Sequence, residues 1–502
     1  MLPSRNVVRT FASRAVALLA VGCALGACED WGHPVPLEDL VLPPDFAPAN
    51  VQTRLLARQY VNTVGMMLGD AAKAAASPPE DEELNGLASI AAGQHALTDE
   101  MAQRYEGSAR AVATAAMGDV DRLHQLAECD PASDDHDACH AAFTANLGRL
   151  AFRRPLTSTE VASYVSVAQQ AEAKLGDFYA GIHYIIAALL QSPSFLFQVE
   201  IGRPLVADGS VHKLDGYELA TRMSFLLTDT GPDEALLDAA GAGLLDTQPG
   251  IREAAAQLVA RPEAQAATRA FFSEYLVLAD MESVPKDPAM FPGYTPELAA
   301  AMREETLRLV DDVVWERDAP VTELFTADHT FVNADLAAFY GLEPAVGWPQ
   351  LGLAGADQRG GTLSHGSILA KQAHPQCTPV PDRGLFVLER FLCRSMPPPP
   401  EGVVTVLPPS STAPTMRDRL AVHLEDPTCA GCHELSDTIG LALENYDAVG
   451  RYRTTENGAT IDASVVHPLL GAFDGPRELS TVLAASPETT RCMLRTLYRH
   501  AT

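Results

Sequence analysis

Cys429, Cys432 and His433 stand in the stretch DPTCAGCHELSDTIGLALENYDAVGRYR, residues 426–453, and spell C-x-x-C-H. Two thiols three positions apart, followed at once by an imidazole, form the attachment signature of a c-type haem. The thiols make thioethers with the two vinyl groups and the imidazole reaches the iron. The same five residues also serve as a redox pair or as half of a zinc site. No second C-x-x-C exists to complete four zinc ligands. No strand or βαβ pattern precedes the pair, as a thioredoxin-like role requires. One covalent haem c is the favoured reading, with a disulfide or another metal as alternatives.

The sixth iron ligand is less fixed. His374 lies in QAHPQC, a loop after an apolar helix that Pro375 stiffens, and ranks first as the distal ligand. Met493 follows the motif by 60 residues, a separation that small cytochromes use for methionine, and ranks second. Met416, His467 and His500 are further candidates, and an open position is the remaining option. Elsewhere SDDHD (133–137) reads as a solvated turn with some capacity to chelate a cation. RGGTLSHGS follows no predicted strand and is not a nucleotide loop. With no G-x-S-x-G and no H-E-x-x-H, no hydrolase signature is present. Catalytic residues stay unassigned, and enzyme activity is an open question.

These residues sit in a chain of 502 with 65 acidic and 36 basic residues and a net charge of −29. That surface repels phosphate backbones and anionic headgroups, so nucleic acid is not an expected partner. Arg5, Arg9 and Arg14 precede an apolar run from Ala15 to Ala27, then CEDWGHP. A basic segment, an apolar segment too short to span a bilayer and small residues before a break describe a signal peptide over 1–27. Leu25-Gly26-Ala27-Cys28 resembles a bacterial lipobox, which makes Cys28 the lipidated first residue. The expected protein is exported to the cell envelope and held to the membrane only by its lipid. A Pro-rich tether follows over 28–50.

In an oxidising compartment most remaining cysteines pair. Cys129 and Cys139 bracket a short polar loop, which favours their pairing, and Cys393 with Cys492 is the second preference, leaving Cys377 free. Most segments carry a helical period. Leu56, Tyr60, Val64, Met67 and Leu68 share a face before Gly69, and Thr157-x-x-Glu160 is a capping box. Phe178 onward is apolar nearly all round and predicts a core helix. Thr295-Pro296 opens a helix with the stripe Leu298, Met302, Thr306, Leu309, Val310 and Val313. Asp426 or Thr428 is positioned to cap a short helix carrying the C-x-x-C-H motif. Strand signals are few: HTFVN near 330 and ATIDASVV near 460. SMPPPPEGVVTVLPPSSTAPT (395–415) cannot be helical and reads as a polyproline strap. The fold class is mostly α, a multi-domain helical body with a C-terminal haem module.

Several segments carry a family resemblance in order: RLLARQYVNTVGMMLGD, LAFRRPLTSTEVASYV, LDGYELATRMSFLLTDTGPDEALLDAA, ADHTFVNADLAAFYGL, RGGTLSHGSILA with HPQCTPVPDRGLFVLERFLC, and CAGCHELSDTIGLALENYDAVGRYR. They resemble the planctomycete and myxobacterial multi-domain family built from domains of unknown function 1587, 1595, 1592, 1588 and 1585, with a planctomycete cytochrome c-like module. The resemblance implies helical domains over 51–120 (1587), 139–202 (1595) and 211–342 (1592). It further implies a cytochrome c-like domain over 357–456 (1588) and an incomplete helical domain over 469–502 (1585). Cys429, Cys432 and His433 match the family's haem motif. His374 matches a histidine often seen before the family's T-S-P-x-x-R-G stretch, which here reads CTPVPDRG. Where relatives have Asp-Pro-x-Gly, this chain has Asp437-Thr438-Ile439-Gly440. The expected function is electron transfer with an unidentified redox protein partner. The alternatives are a haem oxidoreductase with an open sixth position, and a scaffold in which Cys429 and Cys432 form a disulfide.

Overall fold

The computed structural model describes residues 52–132, 134–204, 212–355, 359–397, 410, 412–425 and 427–501, without the side chains of 422–424 and 427–429. The signal segment, Cys28, the tether, Asp426 and most of the polyproline strap therefore lie outside the described residues. The described chain is mostly α, with only two-stranded antiparallel sheets. It divides into two units: residues up to Thr268 together with Tyr498–Thr502, and Arg269–Leu497.

In the first unit α1 (Ala57–Leu68) buries Tyr60, Val64, Met67 and Leu68, and Gly69 stops it with φ at 86°. That backbone angle suits glycine and few other residues. The unit continues with α2 (Asp99–Ala116), α3 (His136–Phe152), α4 (Ser158–Leu175) and α5 (Phe178–Leu190). The Thr157 hydroxyl caps α4 at the Glu160 amide while the Glu160 carboxylate accepts from Thr157, a reciprocal capping box. α5 buries Ile182, Ile185, Ile186, Leu189 and Leu190 but leaves Tyr184 40 % exposed. It is thus the core helix expected, with Tyr184 its one exposed residue. Its segment also breaks: Pro193 starts a separate single turn, after which β2 (Phe197–Val199) pairs with β1 (Gln52–Arg54). One hydrophobic core, with Phe143, Leu147, Phe195 and the α5 isoleucines, joins these helices.

In the second unit Thr295 caps α6 (Pro296–Asp311), and Leu298, Met302, Thr306, Leu309, Val310 and Val313 are all buried. β3 (His329–Phe331) pairs with β4 (Gln350–Gly352). The later helices are α7 (Gly366–Lys371), α8 (Val380–Phe391), α9 (Met416–Glu425), α10 (Pro427–Leu441), α11 (Gly475–Ala485) and α12 (Pro487–Ala501), whose residues from Tyr498 onward count with the first unit. The strand signal near 460 resolves into two hairpins, Thr455–Glu456 with Ala459–Thr460 and Ser464–His467 with Gly471–Asp474. Phe325, Val387, Phe391, Ile439 and Leu479 are in this unit's core.

Two disulfides staple the units internally. Cys129 joins Cys139 and Cys393 joins Cys492, across separations of 10 and 99 residues, while Cys377 is free. In the chain-entropy account the longer closure removes the more unfolded-state freedom, about 4–5 kcal/mol against about 2–3 kcal/mol.

Candidate functional site

The C-x-x-C-H motif occupies the first turns of α10. Helix formation starts at Pro427, whose fixed φ and missing N–H suit a first helical position. Thr428 therefore lies within the helix rather than capping it, because proline has taken the opening position. α10 crosses α8 at backbone contact. A Cβ on Gly384 would lie 1.8 Å from the Ser436 carbonyl oxygen, and one on Gly440 would lie 1.9 Å from that of Val380. Only glycine permits so close an approach from both sides.

Beyond the helix, LALENYDAVGRYR wraps around a buried arginine. Arg383, 1 % exposed, donates through Nη1 to the carbonyls of Leu443 (3.0 Å) and Tyr446 (2.8 Å). Through Nη2 it donates to those of Asp447 (2.8 Å) and Leu369 (3.3 Å). Burial pulls its guanidinium down to about 10, countered by the buried Glu444 carboxylate 3.9 Å away. Glu444 also pairs with Arg453 at 2.8 Å. Two sequence segments far apart in the chain, PDRG and LALENYDAVGRYR, thus lock together and hold the end of α10.

On that helix His433 presents Nδ1 to the Asp437 carboxylate at 2.8 Å, and Asp437 is 1 % exposed. The Ser436 hydroxyl donates to the other Asp437 oxygen at 3.0 Å. An imidazole that ligates a metal usually gives its second ring N–H to a carboxylate or carbonyl, which fixes its tautomer and raises its basicity. With Nδ1 given to Asp437, Nε2 would be the ring nitrogen to meet a metal. Cys432 is half-buried and free of any disulfide; the Cys429 side chain lies outside the described residues. Helical spacing places the two thiols about one turn apart. The donor types fit a covalently held haem: the Cys429 and Cys432 thiols would form the thioethers and the His433 imidazole would ligate the iron.

The proposed distal ligands are in different settings. His374 is on the loop between α7 and α8 with its side chain 60 % exposed. Its Nε2 is 3.4 Å from Asp382 and its Nδ1 is 3.9 Å from Cys377 Sγ. Lys286 fastens this loop by donating to the carbonyls of Ala370, Ala373 and His374 at 2.9, 2.7 and 3.3 Å. Burial brings the Lys286 ammonium down to about 8. Met493 and Met416 are buried in the second unit's core. His467 commits both ring nitrogens: Nε2 donates to the Leu435 carbonyl and Nδ1 accepts from the amides of Leu469 and Leu470, each at 3.1 Å. His500 is on the last helix, in the first unit.

Two features of the site were not picked out from sequence. Asp437 entered only as a departure from a turn pattern, although its position four residues after His433 was the available signal. The second is a buried polar cluster. Glu305, 1 % exposed, accepts from Thr330 and Tyr340, both at 2.6 Å, and burial pushes its carboxyl up to about 7. His365, of the SHGS motif, faces it at 3.7 Å through Nε2 while Nδ1 meets Thr306 at 2.9 Å; burial takes this imidazole down to about 3. Members from four separate segments meet here, and no local spacing announces such a cluster.

Three family models match the chain. Residues 139–200 match PSD5, protein of unknown function (DUF1595), and residues 214–342 match PSD4, protein of unknown function (DUF1592). Residues 359–456, which include the C-x-x-C-H motif and the Arg383 clamp, match PSCyt3, protein of unknown function (DUF1588), a name that suggests a cytochrome c-like module. No curated protein and no solved structure matches the chain. With these three domains in order over more than half its length, the chain belongs to the planctomycete-associated family that carries DUF1595, DUF1592 and DUF1588.

Proposed function

We propose that the chain is an exported lipoprotein of the bacterial cell envelope that binds one c-type haem through Cys429, Cys432 and His433 and transfers electrons. The observation that carries this reading is the buried Asp437 carboxylate bonded to His433 Nδ1, an outer partner of the kind metal-bound imidazoles have. When bound, a haem supplies one-electron chemistry at its iron. The chain's own part is positional. Asp437 holds the His433 ring, Ser436 holds Asp437, and the Gly384–Gly440 crossing with the Arg383 clamp fixes α10. His374, exposed on its loop, is our distal donor over Met493, whose side chain fills the core. The free Cys432 thiol favours thioether formation over a Cys429–Cys432 disulfide. The net charge of −29 suits docking to a basic face of a redox partner.

The absorption spectrum of protein from a host competent in haem c maturation tests the reading. A low-spin haem spectrum unmoved by CO or cyanide supports electron transfer. A spectrum shifted by either ligand favours an oxidoreductase with an open sixth position. Absence of a Soret band from folded protein contradicts both.

A further inference from the structure

His329 opens strand β3, and one of its ring nitrogens is committed to a buried acid. Its Nε2 meets Asp312 Oδ2 at 2.9 Å, and the same oxygen accepts from Arg317 Nε at 2.8 Å. Asp312 is 3 % exposed and begins a turn of π-helix, Asp312–Glu316, that follows α6. Single π turns of this kind are frequent at functional sites. The other ring nitrogen, Nδ1, faces Asp328 Oδ1 at 3.4 Å, and the Asp328 side chain is 89 % exposed. An imidazole oriented from behind by a fixed carboxylate, with its second nitrogen toward solvent, is built to meet a ligand.

His329 lines an open cavity of about 700 Å³ whose wall also includes Asp328, Gln350, Gly352 and Arg477. That volume is in the range of small-molecule sites, about 300–1,000 Å³. The sheet keeps the cavity open. Gly352 is the direct partner of His329 in the antiparallel pair, so a side chain there would rise on the same face as the imidazole. A Cβ on Gly352 would meet nothing within 4 Å. Arg477, the third residue of α11, reaches the cavity past Gly360, where a Cβ would lie 3.4 Å from the arginine Nε. Among the described residues the Arg477 guanidinium has no hydrogen bond and no ion pair. Arg317, by contrast, is taken up by Asp312 and, at 2.7 Å, by Glu323.

We propose that this cavity binds the oxyanion group, phosphate or carboxylate, of a small organic molecule, with His329 Nδ1 and the Arg477 guanidinium as its donors and the Gln350 amide beside them. Both His329 nitrogens face carboxylates, and carboxylates only accept, so the imidazole is a donor on both sides. Asp328 marks where a ligand oxygen sits. It is an oxyanion of the chain's own, at long hydrogen-bond distance and nearly all in solvent, so a ligand that also meets Arg477 displaces it. The charge balance points the same way. In a chain of net charge −29 an anion is held only where cations converge, and Arg477 is the cation of the cavity wall that no carboxylate neutralises. A guanidinium fork suits phosphate and carboxylate alike, through two parallel hydrogen bonds. The cavity is larger than a bare anion fills, which assigns the group to a larger molecule. The site stands apart from the C-x-x-C-H motif and does not depend on a bound haem.

The test is an NMR titration of the full chain, carrying isotope-labelled histidine, with phenyl phosphate and with benzoate. His329→Gln identifies the His329 ring signals. At least one probe should shift those signals saturably, and the tighter of the two names the group as phosphate or carboxylate. Arg477→Gln should weaken that binding roughly tenfold or more, the loss of a hydrogen bond to a charged group. Asp328→Asn should tighten it, because the competing carboxylate is gone, and a merely structural role for Asp328 would not do so. Arg477 and Asp328 are both exposed, so both variants should fold. No saturable shift with either probe, or equal affinities in the wild type and both variants, overturns the proposal. If His329→Gln does not fold, the two exposed variants decide it on whichever histidine signals move.

Discussion

The Asp437 carboxylate is bonded to His433 Nδ1 at 2.8 Å from one turn further along the same helix, in a position 1 % exposed to solvent. A charged acceptor on the far side of an axial imidazole increases its electron donation and favours the ferric state. Asp437→Asn keeps the shape and removes the charge. The midpoint potential should rise, by about 59 mV for each tenfold loss in ferric preference. Spectroelectrochemical titration of the two proteins measures it. An unchanged or lowered potential would show that Asp437 is only a packing residue.

Arg383 satisfies four backbone carbonyls and faces the buried Glu444. Arg383→Met leaves those groups without their donor and the Glu444 carboxylate with only Arg453 and the Thr378 hydroxyl beside it. The expected cost is about 3–5 kcal/mol in a urea unfolding curve. A change below about 1 kcal/mol would mean that water replaces the guanidinium.

At the helix crossing, Gly384→Ala and Gly440→Ala each drive a methyl into a carbonyl less than 2 Å away. Each should cost about 3 kcal/mol or more and reduce the yield of haem-loaded protein, since α10 can no longer seat against α8. A variant with unaltered melting temperature would contradict the crossing.

Glu305 and His365 give opposing dependences on pH. The Glu305 carboxyl, raised from 4.5 to about 7 by burial, holds a proton in the folded chain that the unfolded chain gives up. Its contribution is full below pH 4.5 and is lost as pH rises through about 7. The His365 imidazole is lowered from 6.5 to about 3 by burial, so its contribution is full above pH 6.5 and is lost as pH falls through about 3. Glu305→Gln should leave stability rising with pH between about 3 and 6.5, and His365→Asn should leave it falling between about 4.5 and 7. Urea midpoints against pH for both variants check the signs. Parallel profiles would contradict the assignment.

Much of the scaffold was legible because it follows local rules. Gly69 ends α1, Thr157 and Glu160 close a capping box, and Thr295-Pro296 opens α6 with its stripe inward. These depend on neighbours within a few residues. The limits of the α5 helix were less legible, because an apolar run does not show where Pro193 will interrupt it or which face will keep Tyr184 in solvent. The motif at Cys429, Cys432 and His433 was readable as chemistry. Its support was not, since Arg383 reaches three of its four carbonyls across sixty or more residues and Gly384 meets Ser436 only in three dimensions.

The central claim is covalent attachment of a haem at Cys429 and Cys432. Intact mass of the denatured chain, after expression with the haem c maturation machinery, tests it most directly. The account predicts a mass equal to the processed chain plus one haem, reduced to non-covalent or absent haem in Cys432→Ser. A denatured wild-type chain with no added mass, from folded protein, would contradict it.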